Sequence, residues 1–282
     1  MVNSSAGGPI GVFDSGLGGL TVVQEIWRHL PDEEVVYVGD TARVPYGGRS
    51  AEEIRCFNRE IIGFLLQQGA KLVVFACNTS SALAFPVMQR EFPVPMVEVI
   101  TPGARAAAAA TRNGRIGLLA TEATVRSGAY VRAILGELPG AQVTAVACPL
   151  LVPLVESGRA GSAEAARAVV EYLEPVREAG ADTLVLGCTH YPYLRPHLQE
   201  QLERGVALID PAVETARRVG EVLAAHELRR HGPRRGDRFY TSGDPALFRR
   251  LAGELTGRTL PPVERVEFSS PVLGVNAAGA GG

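Results

Sequence analysis

A single pattern, an apolar run that ends in a cysteine, occurs twice in this chain and constrains it more than any other feature. Leu72 to Ser81 reads Leu-Val-Val-Phe-Ala-Cys-Asn-Thr-Ser-Ser, and Thr183 to Pro192 reads Thr-Leu-Val-Leu-Gly-Cys-Thr-His-Tyr-Pro. Each begins as an apolar strand of the kind buried on both faces of a parallel sheet, then turns polar at its carboxyl end. Open α/β sheets bind their ligands at that end, so Cys77 and Cys188 fall in equivalent, chemically exposed settings.

The surrounding chain repeats with them. Ile10-Gly11-Val12 answers Ile116-Gly117-Leu118, 106 positions on, and Cys77 answers Cys188, 111 positions on, each preceded at the same distance by Gly-Ala. Strands are expected at 9–13, 35–39, 72–77, 96–100, 115–120, 142–147, 183–188 and 206–209, with two late ones at 238–241 and 263–268. Helices alternate with them. Ser50 followed by Glu53 predicts a capping box that opens a helix reaching about Gln68, and single helices are expected over 80–90, 121–135, 193–204 and 211–230, with another capped by Ser162. Such alternation gives parallel sheets with right-handed crossovers, and its repetition points to a duplicated lobe.

The expected fold class is therefore α/β. Two pseudo-symmetric lobes, each a mainly parallel sheet flanked by helices, would enclose the active site in the cleft between them. The first lobe is expected over residues 9–98 and the second over 99–208. Residues 209–270 return to the first lobe, because two late strands cannot build a third core alone. The polar start (1–8) and the Gly/Ala-rich end (274–282) are expected to be disordered tails.

Composition narrows the function classes. With 282 residues and 46% hydrophobic content the chain can fill two cores, and a net charge of −2 gives no footing for nucleic acid. Neither a signal peptide nor a long apolar run is apparent, so no membrane partner is expected. Four cysteines (Cys56, Cys77, Cys148, Cys188) without CxxC spacing suit free thiols in a reducing cytoplasm. Beyond Cys188 and His190 nothing has metal-ligand spacing. The only lysine, Lys71, lies at the amino-terminal end of the Cys77 strand, the wrong end for a pyridoxal phosphate Schiff base, so no cofactor is expected.

Several chemistries suit two opposed thiols. One reading makes them buried core residues, since free cysteine is among the most buried types; that serves for Cys56 and Cys148, while Asn78, Thr79, Thr189 and His190 make the other two strand ends polar. A disulfide-forming redox pair needs a short separation. A cysteine amidohydrolase would use one thiol with a histidine and leave the second idle. Moving a proton from one face of a carbon to the other needs a base on each side, which a symmetric cleft supplies. The turn Asp14-Ser15-Gly16-Leu17-Gly18-Gly19 would let backbone approach a ligand and offer amide N–H groups to an anion. Ordinary structural roles stand beside these: Asp14 as a helix cap, His190 oriented by a carbonyl, Glu156 as a solvated helix-end charge, Tyr46 as turn packing beside Pro45.

The runs Phe-Asp-Ser-Gly-Leu-Gly-Gly-Leu (13–20), Gly-Asp-Thr-Ala-Arg-Val-Pro-Tyr-Gly (39–47), Ala-Cys-Asn-Thr (76–79), Pro-Leu-Val-Glu (153–156) and Leu-Gly-Cys-Thr-His-Tyr-Pro (186–192) resemble those of the bacterial glutamate racemases. They follow the family's order and span 10 to about 268. The resemblance implies a cofactor-independent cytoplasmic enzyme, often a homodimer, that interconverts L- and D-glutamate and supplies D-glutamate for peptidoglycan. It assigns Cys77 to the face from which D-glutamate loses its proton and Cys188 to that of L-glutamate. Asp14 and His190 match groups assisting the two thiols, and Glu156 matches a further carboxylate. Ser15, Pro45, Tyr46, Gly47, Asn78, Thr79, Thr121 and Thr189 match positions that hold the amino acid, with Thr124 one helical turn from Thr121 as its substitute. An aspartate or other amino-acid racemase of the same superfamily, a cysteine amidohydrolase and an inert binding protein for an acidic metabolite are the alternatives.

Overall fold

The computed structural model describes residues 6–269. Four strands, β1 (Ile10–Asp14), β2 (Val35–Gly39), β3 (Leu72–Phe75) and β4 (Met96–Glu98), form a parallel sheet in the order β2-β1-β3-β4. Four more, β5 (Arg115–Ala120), β6 (Gln142–Ala147), β7 (Thr183–Gly187) and β8 (Ala207–Ile209), form a second in the order β6-β5-β7-β8. The two orders are the same once four is added to each number, so the sequence repeat is a repeat of topology. The late strands β9 (Arg238–Thr241) and β10 (Val263–Arg265) extend the first sheet, β9 pairing with β2 and β10 with β9.

Side chains alternate across β1: Ile10 and Val12 face one cluster, Phe13 the other. The cluster containing Ile10 also takes in Ile116, Leu118 and Val185 of the second sheet, so one apolar core runs between the sheets. It is filled by α1 (Leu20–His29), α5 (Ile100–Ala110), α7 (Ala129–Glu137), α11 (Pro211–Ala225) and α12 (Pro245–Thr256). Ala104 and Ala107 are buried there, their small side chains letting the neighbouring helices α7 and α11 come close. Two further clusters cover the outer faces, one under α2 (Ala51–Gln67), the other under α9 (Ala163–Glu178). On α2 the capping box of Ser50 and Glu53 is formed at both bonds, and Ile54, Phe57, Ile61 and Leu65 make its buried stripe.

Several expected elements differ in detail. The helix expected over 80–90 is two, α3 (Asn78–Leu83) and α4 (Phe85–Glu91), broken at Ala84 because Pro86 lacks a backbone donor and restricts the residue before it. The one expected over 121–135 breaks at Gly128, whose φ of 65° separates α6 (Glu122–Ser127) from α7. The 193–204 segment is a short 3-10 turn (Tyr191–Leu194) before α10 (Arg195–Gln201). The helix from Pro211 stops at Ala225. The strand at 96–100 stops at Glu98, whose carboxylate reaches forward to accept from the Ile100 and Thr101 amides, the free donors of the first turn of α5. Two helices lie outside the expected ones: the short α8 (Leu151–Glu156) and the three-turn α12, the latter capped by Asp244 and ended by Gly257. Of the expected tails, 274–282 and 1–5 lie outside the described residues. Residues 6–8 form a turn whose Ala6 and Gly7 carbonyls accept from Lys71 and Arg230.

Candidate active site

The strands' carboxyl ends meet at a cavity of about 170 Å³, small beside the roughly 300–1,000 Å³ of a site for a drug-sized molecule. The first sheet contributes Ser15 after β1, Pro45 to Gly48 after β2, and Cys77, Asn78 and Thr79 after β3. The second contributes Thr121 and Glu122 after β5, Cys148, Pro149 and Val152 after β6, and Cys188, Thr189 and His190 after β7. Thus the two thiols end equivalent strands and line one cavity. Both are nearly buried, at 4% and 5% exposure.

The Cys77 wall is formed by the first turn of α3, with Cys77 at its N-cap position. Burial, and after it the facing Asp14 charge, push the Cys77 thiol up to about 12, against hydrogen bonding from Ser80. Asn78 is oriented by the Tyr130 hydroxyl, which donates to its Oδ1 at 2.6 Å. Thr79, Thr121 and Thr124 bring their hydroxyls together across the two walls: 2.9 Å from Thr79 to Thr121, 2.9 Å from Thr121 to Thr124, and 3.4 Å from Thr79 to Thr124. Thr121 lines the cavity while its Oγ1 also caps α6, and Thr124 stands behind it.

On the other wall Cys188 Sγ lies 3.6 Å from His190 Nδ1, and His190 Nε2 lies 2.5 Å from Glu156 Oε1. Burial opposes the imidazolium, but hydrogen bonds to Cys188 and Glu156 outweigh it and hold His190 well above the usual imidazole range. Glu156 is no solvated helix-end charge: its side chain is 14% exposed, and Oε1 also accepts from Leu17 N at 2.7 Å. Asp14 is wholly buried, and burial raises its pKa although the nearby His190 opposes the shift. Its Oδ2 accepts from Gly16 N and its Oδ1 from the Thr189 hydroxyl, each at 3.1 Å. Asp14 therefore braces the glycine turn against the opposite wall and acts on Cys77 through its charge.

The glycine turn is packed against the opposite wall, and part of its amide edge is used within the protein. Two of its amide donors, Gly16 and Leu17, are taken by Asp14 and Glu156. A Cβ at Gly16 would fall 2.0 Å from Glu156 Oε1, and one at Gly18 would fall 2.4 Å from Thr189 Oγ1 and 2.5 Å from His190 Nδ1. The turn is bare so that the Cys188 wall can seat against it. Gly47 plays a like part, with its would-be Cβ 3.0 Å from Thr121. Tyr46 lines the cavity, but its phenol donates to Asp40, so the hydroxyl belongs to the loop's own packing.

Gly48, Glu122, Cys148, Pro149 and Val152 line the cavity without having been singled out. The repeat held the signal for Cys148 to Val152, since the segment after β6 is the counterpart of the Pro45 to Gly48 loop after β2. Lys71 is buried at the opposite end of β3, with Nζ 2.6 Å from Glu33 and 2.9 Å from the Ala6 carbonyl. Among the described residues no group of three or more His, Cys, Asp or Glu is arranged to hold a metal ion.

Residues 10–219 match the Asp/Glu/hydantoin racemase family. A glutamate racemase of Desulforudis audaxviator is 47% identical over 268 residues, covering 93% of this chain and 98% of the relative. The chain belongs to the glutamate racemase family. Its fold is that of the family's crystal structures: a glutamate racemase isoform of Bacillus anthracis superposes with a TM-score of 0.87 at 38% identity, covering 92% of this chain and 97% of the other. The glutamate racemase of Francisella tularensis, solved in complex with D-glutamate, superposes at 0.85 with 32% identity over 94% of this chain and 98% of its own.

Proposed function

We propose that this member of the glutamate racemase family interconverts L- and D-glutamate by passing a proton between two thiols. Cys188, with His190 and Glu156 behind it, removes the α-proton of L-glutamate. Cys77, held neutral, returns a proton to the opposite face, and the roles reverse for D-glutamate. Negative charge that develops beside the substrate carboxylate is met by N–H groups and hydroxyls of Ser15, Asn78, Thr79, Thr121 and Thr189 in a site that excludes most water. What carries this reading is that two cysteines ending equivalent strands line one small cavity. As the family resemblance implies, the enzyme would act in the cytoplasm as a homodimer and feed D-glutamate to peptidoglycan synthesis. Among the described residues no helix is long and apolar enough to cross a membrane.

The test is incubation with L-glutamate in deuterated water, following α-hydrogen exchange by NMR and loss of optical rotation together. Both are expected, with far slower change for L-aspartate. No exchange at high enzyme concentration would sink the proposal, and release of ammonia from L-glutamine offered in its place would favour an amidohydrolase.

A further inference from the structure

The carboxyl-terminal extension of the first sheet reaches the cavity through a chain of contacts that the two-thiol mechanism does not use. Ser242, just past β9, donates to Asp40 Oδ1 at 2.7 Å. The other oxygen of Asp40, which is wholly buried, accepts from Arg43 Nε at 2.7 Å and from the Tyr46 phenol. Arg43 also reaches Glu60 at 2.6 Å. Its guanidinium lies between two rings, 4.0 Å from the centre of Phe57 and 4.9 Å from that of Phe268. Phe268 belongs to the segment after β10, which is tied down where Val266 N donates to the Thr241 carbonyl at 2.9 Å, and its ring also meets Phe64 edge-on at 6.3 Å. Pro45, Tyr46, Gly47 and Gly48, the loop held by Asp40, form one wall of the cavity.

We infer that Phe268 is a positioning residue: by closing over the Arg43 guanidinium it keeps water from the Arg43–Asp40 pair and so fixes the Tyr46 wall against which the substrate rests. A buried cation over an aromatic face is stabilising, and a desolvated ion pair that is also hydrogen-bonded has one strongly preferred geometry. Without the ring, the same bonds compete with water and the wall loosens.

The kinetic part of this inference rests on the racemase reading, whereas hydrogen exchange does not. In the full chain, Phe268→Ala is expected to speed amide exchange across residues 40–48 while leaving β1 and β3 unchanged, and Phe268→Tyr, which keeps the aromatic face, to restore the slow exchange. KM for both glutamate enantiomers is expected to rise on the order of fivefold in Phe268→Ala, the weight of one lost cation–π contact, with kcat nearly constant. In an Arg43→Gln background, which leaves no cation for the ring, the same substitution should add little, since the two residues act through one contact. Phe268→Leu carries the test should Phe268→Ala not fold. Unchanged exchange in 40–48, or fully additive effects with Arg43→Gln, would overturn the inference. A wild-type protein that fails to racemise glutamate would defeat the racemase reading instead, and exchange would still decide the role of Phe268.

Discussion

Cys77 and Cys188 end equivalent strands of sheets with the same strand order, yet the groups around them differ in charge and in source. Cys188 has its own imidazole two residues on, itself paired to Glu156, so that wall carries a cation beside the thiol. Cys77 has Ser80 of its own helix and, facing it, the Asp14 carboxylate, and burial holds its proton on. The repeated topology places the two thiols on opposite walls of one cavity, and the groups that surround them are not repeated. The proposed transfer of a proton between two faces of a carbon calls for one group that takes and one that gives, and the neutral Cys77 thiol suits the second part.

The comparison breaks most sharply when either thiol is removed. Cys77→Ser and Cys188→Ser are each expected to lower kcat/KM for racemisation by roughly 10³-fold, within the span of a lost general acid or base. Because the enantiomers have equal free energy, kcat/KM is the same in both directions whatever the variant, so the asymmetry must be sought elsewhere. In deuterated water Cys77→Ser keeps the His190-supported base and should still exchange the α-hydrogen of L-glutamate faster than that of D-glutamate. For Cys188→Ser the order should reverse. A single variant that racemises at the wild-type rate would refute the two-thiol assignment.

A smaller effect tests how the walls are seated. In Gly16→Ala the new methyl carbon would lie 2.0 Å from Glu156 Oε1, inside any permissible contact, so Glu156 must give up either Leu17 or His190. The expected loss in kcat is about 10- to 100-fold, since misplacement of a supporting group by about 1 Å costs on that order. L-glutamate exchange should suffer more than D-glutamate exchange, because the displaced group stands behind Cys188. Gly63→Ala, in α2 with open space around its Cβ, is the control: activity unchanged and stability raised by about 1 kcal/mol. Equal loss from both enantiomers in Gly16→Ala would mean that the glycine turn serves the whole cleft rather than one wall.

How much of this was legible in the sequence follows from the range of each interaction. Strand positions, the Ser50 capping box and the equivalence of Cys77 and Cys188 are local or repeated patterns, and the strands at 35–39, 115–120, 142–147 and 238–241 lie where periodicity placed them. The return of β9 and β10 to the first sheet was legible because they had too little core of their own. The packing of the glycine turn against Glu156 was not, since Gly16 and Glu156 are 140 positions apart and only the fold brings them together. Cys148 looked like core from its composition alone, and it is buried, but the strand order places it at the cavity as well. Helix breaks at Ala84 and Gly128 had visible causes in Pro86 and a left-handed glycine, which short apolar periodicity outweighed.

The smallest expected effect reads the resting state of the Cys77 wall without any turnover. In the folded protein the Cys77 thiol keeps its proton up to about 12, against an ordinary value of 9.0 once unfolded. Between those values the unfolded chain binds fewer protons than the folded one, so stability falls as pH rises through that window, and below it the contribution is fully present. By pH 10.5 the loss from this one group is about 2 kcal/mol, at roughly 1.4 kcal/mol for each unit beyond the unfolded value. Cys148, raised to about 12 by its own burial, loses stability over the same range, but it does so equally in wild type and in Cys77→Ser and cancels between them. Urea unfolding at pH 8 and pH 10.5 should therefore show the wild type losing more than Cys77→Ser, with the gap between the two changing by about that amount. Parallel losses would mean that Cys77 ionises as readily folded as unfolded, and the asymmetry of the walls would then rest on His190 and Glu156 alone.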